Sequence, residues 1–142
     1  MGRINQKCLL RPMSGVLLLV VLSLLLVGCG SYASQAEKYS TEARSEVAGS
    51  AYVLERFGAG EVSGAFVKAS LQQYAAAMQS TAQSLRNLKP PPDARPRQER
   101  AIKALDRAQH LVQEAGQKGV ARREAPQLAT RLRGFEEELA KP

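Results

Sequence analysis

The apolar positions of this chain change rhythm once, near residue 30. Before it, Val16 to Val27 is a continuous apolar run broken only by Ser23. After it, apolar residues return at intervals of three and four, the spacing that lines one face of an α-helix. The first such stripe is Tyr32, Ala36, Tyr39, Ala43, Val47, Ala51 and Leu54, with Glu37, Lys38, Glu42, Arg44, Glu46 and Glu55 between its members. Gly58, Gly60 and Gly64 then crowd into one short segment, which predicts a helix end and a turn. A second helix is predicted from about Val62 to Leu88, on the stripe Val67, Leu71, Tyr74, Met78, Ala82, Leu85 and Leu88.

The segment NLKPPPDARPR stops that helix, because Pro90, Pro91 and Pro92 cannot continue it and each drives its predecessor towards extended geometry. A third helix starts near Pro96, a residue suited to a first turn, and carries Ile102, Leu105, Ala108, Val112 and Ala115 before the glycines at 116 and 119. A fourth carries Ala121, Ala125, Leu128, Leu132, Phe135 and Leu139. Pro126 leaves two readings for its start: the helix begins there, or a short turn from Val120 kinks at it. The expected fold is all-α, an antiparallel up-down-up-down four-helix bundle after an N-terminal signal helix. The alternative runs the first two helices together through the glycines and leaves three long helices. The sequence shows no internal repeat.

Composition narrows the chemistry. The 142 residues suffice for one domain at most. Tryptophan is absent and alanine abundant, which suits closely packed helices rather than a sheet rich in aromatic and β-branched residues. Both cysteines, Cys8 and Cys29, lie in the first thirty residues, so the helical region has neither a disulfide framework nor a thiolate metal site. His110 is the single histidine, and no metal site is expected.

The first thirty residues carry the most specific signal. Arg3, Lys7 and Arg11, with no acid among them, precede the apolar run, which is shorter than the ~20 residues a membrane span needs; the rival reading is an uncleaved N-terminal anchor. Leu26, Val27, Gly28 and Cys29 close the run. This arrangement resembles the signal peptide and lipobox of bacterial lipoproteins. The resemblance covers the leader and Cys29 alone. It implies that Cys29 receives a diacylglycerol group, that the Gly28–Cys29 bond is cut, and that the new amine can be acylated. Beyond that covalent lipid no cofactor is expected. Two acyl chains at one residue agree with the rule that a single chain anchors only marginally. Gly30 stands where the family's inner-membrane retention signal has Asp, which implies outer-membrane sorting in a Gram-negative source. The expected divisions are a signal peptide at 1–28, a lipidated tether at 29–35 and the bundle at 36–141. The expected location is the cell envelope, on the extracytoplasmic side of the membrane.

The formal net charge of +7 falls to +4 once Arg3, Lys7 and Arg11 leave with the signal. An excess of the same size gathers around the proline segment, where Arg86, Lys89, Arg95, Arg97, Arg100, Lys103 and Arg107 outnumber Asp93, Glu99 and Asp106. These residues form a candidate patch for anionic lipid, an anionic envelope polymer or an acidic protein. Against it stands the plainer reading of a solvated loop and helix start. Nucleic acid is not an expected partner, since no stacking aromatics interleave with these cations.

His110 shares a helix face with Asp106 and Glu114, the one arrangement that could orient a base, but no nucleophile accompanies it. Tyr39, Tyr52 and Tyr74 could line a groove or simply fill the core. Glu136, Glu137 and Glu138 form an acidic run within reach of Arg131 and Arg133. Glycine-rich phosphate loops, paired catalytic acids and nucleophile elbows are missing from the sequence. The expected function is therefore non-enzymatic, a membrane-anchored module that binds or scaffolds an envelope protein or polymer. The alternative is a sensor of a small ligand or metal with its site inside the bundle. Replacing the anchor residue, Cys29→Ser, is expected to leave full-length precursor and abolish labelling by a fatty-acid analogue. Labelling that persists in that variant refutes the anchor.

Overall fold

The computed structural model describes residues 31–141; the signal peptide, Gly28, Cys29 and Cys8 lie outside the described residues. Four helices follow one another, α1 (Tyr32–Gly58), α2 (Gly64–Asn87), α3 (Arg95–Lys118) and α4 (Ala125–Ala140). Each packs against its neighbour in sequence, and α1 also packs against α4, which closes the ring. The helices α1 and α3 touch across the middle, whereas α2 and α4 do not meet among the described residues. The end of α1 lies beside the start of α4, with Gly58 against Pro126, so successive helices run in opposite directions. This is the expected up-down-up-down bundle; the three-helix alternative fails at Gly60.

The break at Gly60 is built from local hydrogen bonds. The Glu61 amide donates to the Arg56 carbonyl at 2.9 Å, and the Gly60 amide donates to the Phe57 carbonyl at 2.9 Å. Gly60 has φ +82°, the left-handed conformation that such a helix stop requires and a Cβ disfavours. The chain then re-enters helix at Ser63, whose Oγ accepts the Phe66 amide at 3.2 Å. A stop and a cap this close divide what the stripe alone would have allowed to run on. The second helix accordingly begins at Gly64 and ends at Asn87, slightly inside its expected limits. Helices α3 and α4 each carry proline in the first turn, Pro96 and Pro126, where no amide donor is missed. The ambiguity at Pro126 is thereby settled. Ala121 lies exposed outside the helix and is not part of the stripe. At the other end of the chain, α1 begins at Tyr32, so residues 32–35, assigned above to the tether, are helical.

Ala43, Val47, Ala51 and Leu54 of α1 meet Leu71, Ala75, Met78, Ala82 and Leu85 of α2, with Leu105, Ala108 and Val112 of α3 and Ala129 and Leu132 of α4 completing the core. Alanine recurs on every inward face. A large side chain from one helix thus fills the gap over a small one on the next, which is how interiors reach crystal-like density. The alternation is most severe at Gly49. A Cβ there would lie 2.6 Å from the Tyr74 hydroxyl and 2.7 Å from its Cζ, so the ring rests on bare α1 backbone.

Gly49→Ala is expected to lower stability by about 1–3 kcal/mol in chemical denaturation, because overpacking against a seated ring outweighs the helix propensity gained. In a Tyr74→Ala background the same substitution should become neutral or stabilising. An unchanged sign would contradict the contact.

Candidate functional site

One cleft of about 600 Å³ opens at the end of the bundle where α1 and α3 begin and α2 and α4 finish. Tyr32, Ser40, Thr41 and Arg44 line it from α1, and Leu85 from the end of α2. Pro91 and Asp93 of the proline segment, then Arg97, Gln98 and Arg100, supply a second wall. Glu138, Leu139 and Lys141 close the third side. At the opposite end of the bundle lies a dent of about 20 Å³ around Phe57, Val67 and Val120, room for a single water. The larger volume falls within the range of ~300–1,000 Å³ usual for small-molecule sites.

Gln98 shows why the cleft has a firm floor. It occupies a core-facing position on α3, is 8% exposed, and donates from Nε2 to the carbonyls of Leu85 and Leu88 at the end of α2. The Leu85 carbonyl already accepts the Leu88 amide and takes Gln98 as a second donor, while the Leu88 carbonyl lies past the last turn of the helix, where acceptors lack intrahelical partners. The same side chain ties the proline segment's two flanking helices together.

The structure divides the seven patch cations into three groups. Arg86 donates to both carboxylate oxygens of Asp106 at 2.6 Å, and Arg107 donates to Glu138 at 2.5 Å while its guanidinium lies over the Phe135 ring. These two brace neighbouring helices. Arg97 and Arg100 line the cleft. Lys89, Arg95 and Lys103 stand exposed outside its lining, and they form no ion pair among the described residues. Arg44 was not among the expected site residues, yet it joins Arg97 in the cleft. Glu37, Ser40, Thr41 and Arg44 follow the spacing i, i+3, i+4, i+7, so a polar stripe accompanied the apolar one.

The remaining candidates are dispersed. Asp106 is held by Arg86 and Glu114 by Lys118 at 2.6 Å. Hydrogen bonding to Lys118 also keeps the Glu114 carboxyl below its ordinary pKa. Tyr39 and Tyr74 are half-buried against the core, whereas Tyr52 is 53% exposed, so the three do not share a groove. In the acidic run Glu136 binds Arg133 at 3.0 Å and Glu138 binds Arg107; Arg133 also reaches Glu55 at 3.3 Å. No group of three metal-ligating side chains occurs among the described residues, and no described helix is long and apolar enough to cross a membrane.

A polar contact also crosses the core behind the cleft. The Thr81 hydroxyl of α2 donates to Glu46 Oε1 of α1 at 2.9 Å, and Glu46 Oε2 is buried without a partner among the described residues. Burial raises the Glu46 pKa, with the nearby Glu42 adding to the rise and the Thr81 bond opposing it.

No family model, curated protein or solved structure matches the chain.

The direction of the Glu46 shift fixes a pH dependence. The folded chain holds the proton more tightly than the unfolded chain, so this group's contribution to stability is complete below its ordinary value. It is lost as pH rises through the raised one. Glu46→Gln is therefore expected to melt higher than the parent at neutral pH, with the gap closing on acidification through the carboxylate range. A pH-independent gap would show that ionisation is not the cause.

Proposed function

We propose that this chain is a lipid-anchored lipoprotein of the bacterial envelope, acting as a non-enzymatic binding module on the extracytoplasmic side. The lipobox at Leu26–Cys29 supports the anchor. The binding role rests on one observation above all: Lys89, Arg95 and Lys103 are exposed cations without ion pairs among the described residues, gathered on the proline segment and the first turns of α3. Elsewhere many cations are already engaged, as in the pairs Arg56–Glu61, Lys118–Glu114 and Arg133–Glu55. Unneutralised cations on a stiff, proline-framed segment suit an acidic protein surface or an anionic envelope polymer, because little ordering is needed on contact.

The reading is tested by affinity capture from detergent-solubilised membranes, in parallel with binding to isolated envelope polymer. The wild-type chain should recover one acidic protein or the polymer reproducibly, and the triple variant Lys89→Glu, Arg95→Glu, Lys103→Glu should lose it while remaining helical. Recovery of neither ligand by the wild type, or equal recovery by the triple variant, refutes the role given to this surface.

A further inference from the structure

The cleft differs from the cations beside it in shape, because its arginines, although exposed, line one concave volume. Arg44 enters from α1 and Arg97 from α3, and neither forms an ion pair among the described residues. Of the three acids in the same lining, Glu37, Asp93 and Glu138, the last is committed to Arg107. Ser40 and Thr41 add hydroxyls beside Arg44. Arginine presents a planar fork of donors that fits the oxygens of a phosphate two at a time, and hydroxyls complete such a site. The chemistry asked for is a phosphate ester small enough for about 600 Å³.

Covalent reach supplies the source. Tyr32 lines the cleft, and three Cα–Cα steps lead along the chain from Cys29 to it. Fully extended, they span about 11 Å. With Cys29 acylated, a link this short limits how far the start of α1 can stray from the bilayer surface. We propose that the cleft binds the headgroup of an anionic phospholipid from the membrane that holds the anchor, with Arg44 and Arg97 on its phosphate. The bundle is thereby fixed end-on. This inference rests on the lipid-anchored reading above and is independent of the partner assigned to Lys89, Arg95 and Lys103.

The test uses the full chain purified from membranes and placed with vesicles of phosphatidylcholine alone, or of phosphatidylcholine containing phosphatidylglycerol. Amide hydrogen exchange is followed in the first turns of α1 and α3. Exchange there should slow about tenfold when phosphatidylglycerol is present, the size expected for one charge-assisted hydrogen-bonded contact. The slowing should vanish in Arg44→Ala, Arg97→Ala and persist in Lys68→Ala, Arg131→Ala, which loses the same charge from exposed positions elsewhere. Equal exchange in the two vesicle types overturns the proposal, as does equal loss in both double variants, which would make the effect one of net charge. If inorganic phosphate with phosphatidylcholine vesicles gives the same slowing, the site takes a free anion and the lipid source is refuted. The intact mass of the same preparation reads acylation of Cys29 separately. A missing lipid mass overturns the anchor, while the comparison of vesicles still decides the headgroup.

Discussion

Close approach of the helix backbones is the constraint on which the rest of the molecule depends. Alanine at 43, 51, 75, 82, 108 and 129 leaves room for the leucines opposite, and Gly49 goes further by leaving no Cβ beneath Tyr74. Such packing is unforgiving, since interiors this dense respond to a single methyl group. It is also self-limiting. Towards the starts of α1 and α3 the residues that line the gap are small or polar, with Ala33, Ala36, Ser40 and Thr41 on one helix and Gln98 and Ala101 on the other. The helices have little to interlock there, and the cleft is the space that results.

That origin explains how far the sequence could be read. The stripes of α1, α2 and α3 were legible because each runs for several turns with a single period, and their central members, Val47, Leu71 and Leu105 among them, are fully buried. Boundaries were less legible where two signals overlapped. Ala121 kept the period of α4 although the helix starts later, because a spacing rule does not register that Pro126 prefers the first turn to the interior. Ala75, Ala104 and Ala129 are core residues that stripes drawn through the larger side chains passed over. Small residues do not announce burial, although here they make it possible.

The candidate site was legible in part. Charge counting found the cationic cluster but could not sort it, since pairing across helices depends on which faces meet. Arg86 and Asp106 are 20 residues apart, and Arg107 and Glu138 are 31 apart. Both pairs become structural ties, worth little individually at such exposure. What is left splits between an outward surface and the cleft. Arg44, distant in sequence from the cluster, enters the site only because α1 runs beside α3 across the short diagonal. Its own signal, the polar spacing from Glu37 to Arg44, is the kind that a search for apolar periodicity discards.

An even number of antiparallel helices brings a chain back to the level at which it started. Tyr32 and Lys141 accordingly share the walls of one cleft. The described chain therefore enters and leaves the bundle at one pole, and the other pole consists of the two connections at 59–63 and 119–124, with Arg122 lying over Phe57 between them. An insertion in either turn would extend from the pole opposite both ends of the described chain, whereas a fusion after Lys141 would sit beside the cleft.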